Sequence, residues 1–366
     1  MQSVPYLNLG KETSLLKEEL MKVVGEVLES GMYILGPQVS SFEREFAAYC
    51  GSEFSLGVDN GTTALLLTMR AWGLGENDEV ITAPNSFIAS ASSVALAGAR
   101  PVFADIGPDL NLDPEKVEAA ITPRTRAIMP VHLTGRPAKM EALLDIARRH
   151  RLFVLEDAAQ AVGAKIDGKK VGSFGDASSF SLHPMKNLHA FGDGGMITLN
   201  SRQLYETLIQ ARNHGLKNRN ECDYWSYNCR LDELQAALLR VQLKHLDQQT
   251  EERRKLAFRY HKLLKPYGAV PEEGPQEFCV YQTYVIQVER RDELLKFLND
   301  RGVEARIHYP IPIHLQPAAR SLGYSAKDFP ETMRAASRIL SLPLYPSLAF
   351  EQQDWIAQLF KEFYGR

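Results

Sequence analysis

The chain has 366 residues, 45% hydrophobic and 24% charged, which is ordinary for a soluble globular protein and long enough for a large core spread over two lobes. A net charge of −3 gives no electrostatic reason to bind nucleic acid or an acidic membrane, and the longest apolar runs are strand-length, so no membrane span is expected. The N-terminus Met1-Gln2-Ser3-Val4-Pro5 lacks a basic region followed by an apolar core, which predicts a cytoplasmic chain rather than an exported one.

In chain order, Leu16, Leu20, Val23, Val24 and Val27 share one helical face, and Gly31 supplies a stop. After Gly36-Pro37 a second helical pattern brings Val39, Phe42 and Phe46 together. The chain then alternates. Strands are predicted at 54–58, 79–82, 101–104, 127–131, 152–155, 177–182 and 196–199, with helical segments between most of them. The clearest helical repeat, Met140, Leu143, Leu144 and Ala147, runs directly into the strand at Leu152. Near-continuous apolar strands alternating with helices predict a mainly parallel sheet covered on both faces. The pattern changes near Leu246. A long charged helix opens at Asp247 as a connector, followed by a strand at 280–288, a helix at 292–301 and a strand at 303–308. This predicts a large domain over 1–246 and a smaller α+β domain over 247–366. Cys50, Cys222, Cys229 and Cys279 show no metal or redox spacing, and the nine histidines include no His-Glu-x-x-His, so no metal is expected.

Five places carry candidate chemistry. Asn60-Gly61-Thr62 opens a helical pattern after a strand, where free amides and a glycine suit a phosphate; an ordinary Asn-Gly turn with a threonine cap reads the same way. Phe87 follows the strand at 79–82 and can stack on a flat ring or simply pack in a core. Asp157 ends an apolar strand, where sheet enzymes place their ligands, and also suits a helix N-cap; Gln160 follows it. Ser181 lies five residues before Lys186, so His183-Pro184 must bend the chain if both are to face one ligand. Lys186 sits among apolar and small residues just before the run Gly192-Asp193-Gly194-Gly195; a lysine kept partly from water becomes a usable amine nucleophile, and a distant acid can pair with the ring nitrogen of pyridoxal phosphate.

Taken together, these blocks resemble the DegT/DnrJ/EryC1/StrS family of sugar aminotransferases, which are fold-type I pyridoxal-phosphate enzymes. The likeness also takes in Ser30-Gly31-Met32-Tyr33-Ile34-Leu35-Gly36-Pro37, Glu156-Asp157-Ala158-Ala159-Gln160-Ala161, Tyr227-Asn228-Cys229-Arg230-Leu231-Asp232-Glu233-Leu234-Gln235-Ala236, and His308-Tyr309-Pro310 with His314-Leu315-Gln316-Pro317. It implies an aspartate-aminotransferase-like α/β fold, with a seven-stranded, mainly parallel sheet flanked by helices and a smaller C-terminal α+β domain. It implies that Lys186 bonds covalently to the cofactor and then carries the proton. Asp157 binds the pyridinium nitrogen, Gln160 the ring oxygen, and Phe87 covers one ring face. Gly61, Thr62 and Ser181 hold the phosphate, and Asn228 reaches in from the second subunit of a homodimer. Tyr33, His183, His308, Tyr309 and His314 are the substrate-side candidates. Leu182 and His189 depart from the family's usual aromatic and glycine.

The implied reaction moves an amino group from glutamate to a nucleotide-linked keto-deoxy sugar by ping-pong kinetics, with the ending His308-Tyr309-Pro310 closer to members acting at C-3 than at C-4. A non-catalytic regulator is the rival reading, against which stand intact Lys186, Asp157 and Gln160. A dehydratase of the same family would replace the lysine by histidine, and a nicotinamide dehydrogenase would need the Gly-x-Gly-x-x-Gly that the turn at 59–61 lacks.

Overall fold

The computed structural model describes residues 3–365; Met1 and Gln2 of the N-terminal stretch read above lie outside them. Seven strands form the central sheet in the spatial order Phe54–Val58, Gly195–Leu199, Ala177–Ser181, Phe153–Asp157, Thr125–Met129, Glu79–Thr82, Arg100–Phe103. Only Gly195–Leu199 runs against its neighbours; the other pairings are parallel. The sheet is buried on both faces, as neighbouring residues show. Val80, Ala127 and Met129 join a core with Leu65 and Val94, whereas Ile81 and Ile128 join another with Leu143 and Ile146. Successive strand side chains point to opposite faces, so a strand with two apolar faces needs a continuous apolar run.

The carboxyl ends of three strands gather the candidate residues, with the antiparallel Gly195–Leu199 lying between two of them. Asp157 and Ser181 end their strands, and the helix Gly61–Ala71 begins just past Phe54–Val58. The backbones meet tightly here. A side-chain carbon on Gly61 would lie 2.8 Å from Cβ of Ser181, and one on Gly195 2.4 Å from the carbonyl carbon of Asn60. Only glycine permits this approach at either position.

The charged helix is longer than its pattern suggests. It runs unbroken from Glu233 to Leu264, 32 residues, so position 246/247 falls inside it. Beyond it a three-stranded antiparallel sheet, Gly268–Ala269, Tyr284–Val288 and Ile339–Leu342, packs with Tyr260, Leu294, Leu298, Ile356 and Phe360 into a second core that also takes in Val4. The strand expected at 303–308 does not form. Val303 and Arg306 make only isolated bridges, to Val4 and Ser341, and Ile339–Leu342 takes the ladder instead. The strand expected from Val280 begins at Tyr284, because Tyr281 adopts a left-handed backbone, φ 47°.

Two buried carboxylates tie the scaffold to the site. Glu233 accepts from the amides of Gly36, Gln38 and Val39, capping the helix Pro37–Cys50 whose own N-cap, Gly36, has no side chain to do it. Glu156, fully buried beside Asp157, accepts from Nε2 of His132 at 3.0 Å, from the amides of Gly172, Phe174 and Gly175, and from Oγ of Ser178. Nδ1 of His132 accepts from the Ala138 amide, which leaves its proton on Nε2 for Glu156. Burial pushes the Glu156 carboxyl up, but His132 and the amides outweigh it and the net shift is downward. A carboxyl held below its unfolded value adds stability above that value and loses it as pH falls through the folded one. Glu156→Ala strands five donors at once and is expected to cost about 3–5 kcal/mol. A urea midpoint unchanged from wild type would contradict this.

Candidate active site

A cavity of about 640 Å³ opens at the carboxyl ends of the strands. Lys186, Asp157, Gln160, Gly61, Thr62, Phe87, Ser181, His183, His308 and Tyr309 all line it, so residues spread over nearly 250 positions meet at one place. The bend required between Ser181 and Lys186 is present: the amide of Lys186 donates back to the carbonyl of His183 at 2.8 Å.

Lys186 is half-buried, and among the described residues it is the only lysine or arginine in the cavity wall. Burial lowers its ammonium pKa to about 8, with the charge of Asp157 pulling the other way. Asp157 is buried. Burial raises its carboxyl above the usual value, while Oγ of Ser90, 2.8 Å from Oδ2, the Ala159 amide, 3.2 Å from Oδ1, and the charge of Lys186 hold it down. Gln160 is fixed at both ends: Oε1 accepts from the Thr134 amide at 2.8 Å, and Nε2 donates to the Tyr309 hydroxyl at 3.4 Å. Burial, then the charge of Asp157, keeps that hydroxyl protonated. The ring of Phe87 tilts against Tyr309 with centroids 5.6 Å apart. His308 shares a 2.9 Å hydrogen bond between Nδ1 and Oγ of Ser341; burial first, then the charges of Arg306 and Lys186, lower its pKa to about 4, so it is neutral at pH 7.

Three expected residues stand elsewhere in the chain. Tyr33 and Asn228 are exposed and do not line the cavity of their own protomer. His314 is buried outside the cavity, its ring 4.7 Å from that of Phe329. The structure adds residues that the sequence pattern did not single out. Ser90 holds Asp157. Tyr6, brought in by the bridge of Val4 to Val303, lines the wall, and burial pushes its hydroxyl up to about 12. Gln282 accepts from the Asn187 amide and donates to the Met185 carbonyl, both at 2.6 Å, and so straddles Lys186.

Comparison with known proteins matches residues 14–361 to the DegT/DnrJ/EryC1/StrS aminotransferase family. The chain belongs to that family. It is 46% identical to a pleiotropic regulatory protein of Geobacillus stearothermophilus, with 99% of both chains covered. It is 41% identical to the dTDP-3-amino-3,4,6-trideoxy-alpha-D-glucose transaminase of Streptomyces venezuelae, over 99% of this chain and 97% of that one. Its fold superposes on the crystal structure of S. venezuelae DesV in complex with a ketimine intermediate, with a TM-score of 0.97, 40% identity and both chains fully covered.

DegT/DnrJ/EryC1/StrS aminotransferases depend on pyridoxal phosphate, and proteins of this fold have been solved in forms carrying it or pyridoxamine phosphate. The fold is the α/β architecture expected from the sequence, with its mainly parallel seven-stranded sheet. The residues present suit the cofactor. The amides of Gly61 and Thr62 open a helix, take no intrahelical bond and lie beside Ser181, which makes a cradle for a phosphate dianion. Asp157 uses two protein donors, leaving acceptor capacity for a ring N–H. Lys186 carries an amine that burial has made easier to deprotonate.

Proposed function

We propose that the protein is a nucleotide-sugar aminotransferase that moves an amino group from glutamate to the C-3 carbonyl of a dTDP- or UDP-linked keto-deoxy hexose. The observation that carries this reading is the meeting, in one cavity, of a lysine with a lowered pKa, a buried carboxylate and a helix N-terminus. The names of relatives support a dTDP-sugar acceptor aminated at C-3.

Bound pyridoxal phosphate supplies an aldehyde that captures amines and a ring that takes up the electrons released when a carbon–hydrogen bond breaks. The chain supplies the rest. Lys186 provides the amine that anchors the cofactor and, once freed, moves a proton at the donor's α-carbon. Asp157 would accept the ring N–H, Gln160 with its partner Tyr309 would hold the ring oxygen, and Phe87 would cover a face. Gly61, Thr62 and Ser181 would take the phosphate. Neutral His308 and Tyr309 offer hydrogen bonds to a sugar without adding charge, and exposed His183 stands at the mouth.

The active sites are completed in a homodimer. Asn228 and Tyr33 do not reach their own cavity, and the segment carrying Asn228 presents Tyr224 and Tyr227 with Trp225 at 95% exposure, an arrangement suited to burial against a second copy. Residues 1–246 form the cofactor domain and 247–366 the smaller one, joined through the long helix. The cytoplasm is the compartment proposed for this biosynthetic activity.

Borohydride reduction of the holoenzyme followed by peptide mapping is expected to tag Lys186. Glutamate offered with a panel of dTDP- and UDP-keto sugars is expected to give a product that NMR shows aminated at C-3. Amination at C-4 would overturn the position, and no amination of any sugar would favour the regulatory alternative. The lowered pKa of Lys186 has its own consequence. Only the neutral amine attacks an aldehyde, so capture of pyridoxal phosphate by the apoprotein is expected to speed up as pH rises through about 8, followed by absorbance in stopped flow. A midpoint at the ordinary lysine value would show that burial does not tune this amine.

A further inference from the structure

The segment Asn85-Ser86-Phe87-Ile88-Ala89-Ser90 contributes more than the ring of Phe87. Its two serines lie one turn apart and point the same way. Oγ of Ser86 is 2.8 Å from Oγ of Ser90, which in turn is 2.8 Å from Oδ2 of Asp157. Ser86 also lies 3.2 Å from the Phe87 carbonyl, a longer contact for its single proton. Ser90 is 1% exposed and Ser86 3%, so the pair does not lead to solvent. It is a fixed pair of dipoles, not a proton path, and buried dipoles act strongly because no water screens them.

The acid needs such a partner. Asp157 is buried, which favours its neutral form, and a neutral acid does not hold a ring nitrogen protonated by charge. Among the described residues, Oδ1 has the Ala159 amide and Oδ2 has Ser90 alone. We propose that Ser90, backed by Ser86, is a positioning residue that keeps the Asp157 carboxylate ionised and turned toward the cofactor's ring nitrogen. This rests on the aminotransferase reading above. Ser90 touches the acid and does not enter the reaction itself.

The test uses the holoenzyme loaded with cofactor labelled with nitrogen-15 in its ring. In Ser90→Ala the ring-nitrogen resonance is expected to move toward the unprotonated position. kcat is expected to fall about 10- to 100-fold, the size of one lost hydrogen bond to a charged group, while KM for glutamate changes little. Ser90→Thr keeps the hydroxyl and is expected to restore both. Ser86→Ala removes only the backing donor and is expected to shift the resonance less, in the same direction. A loss through general unfolding would lower the urea midpoint and leave the resonance of the remaining folded protein in place. If wild-type enzyme carries cofactor on Lys186 but the Ser90→Ala resonance stays at the wild-type position, the role of Ser90 is overturned and the aminotransferase reading stands. If wild type carries no cofactor on Lys186, the aminotransferase reading falls and this inference falls with it.

Discussion

Lys186→Ala is expected to abolish turnover with both substrates present, by at least about 10⁴-fold in kcat. The size follows from the wall of the cavity. Among the described residues no second lysine or arginine lines it, so no neighbouring amine takes over the anchoring bond. His308, with a pKa of about 4, is a weak base and a poor substitute for moving the proton. Lys186→Arg is expected to be equally inactive, because guanidinium stays charged and is no nucleophile. Folding offers a control. A partly buried ammonium costs solvation, so the alanine variant is expected to be as stable as wild type or more so. An inactive variant with an undiminished urea midpoint meets both expectations, whereas turnover above a hundredth of wild type would refute the assignment.

Most of this site was readable because its residues stand at the ends of strongly patterned elements. The apolar run before Asp157 marks a buried strand, and a residue at such a strand's carboxyl end faces the ligand side of the sheet. Lys186 was legible from its apolar surroundings and the glycine run after it. What stayed hidden depends on contacts made across the chain. Gln282 lies 95 residues from Asn187 and 97 from Met185, and nothing in its local pattern shows that it holds the peptides on either side of the lysine. Ser90 looks like one more small residue in a serine-rich helix, and its meaning comes only from Asp157 at 2.8 Å. Glu233 belongs to a recognisable motif, yet its task, capping a helix almost two hundred residues earlier, is purely tertiary. The alternation at 303–308 suits a strand, but its pairing stops at one bridge from Val303 to Val4 and one from Arg306 to Ser341 on the edge strand Ile339–Leu342, so no ladder grows. His314 sits in a histidine-proline run that resembles a binding loop and packs instead against Phe329.

Asp157→Asn is expected to lower kcat by about 10²- to 10³-fold, the loss typical of removing one preorganised electrostatic partner. The substitution isolates charge from shape. The amide can turn its oxygen to the ring N–H and its nitrogen to Ser90, whose hydroxyl can accept as well as donate, so the hydrogen bonds survive in altered form. What would be lost is the negative charge that, in the proposed reading, faces the ring nitrogen, and without it the ring would be a weaker electron sink. The same charge also acts on Lys186, where it opposes the effect of burial. Removing it is expected to lower the lysine's pKa further, so the pH midpoint for cofactor capture should move below about 8 while capture itself persists. The two readouts shift in different senses, since chemistry slows while the nucleophile becomes available at lower pH. A residue that merely filled space would produce neither pattern, and a kcat within tenfold of wild type would show that this carboxylate does not set the electronics of the ring.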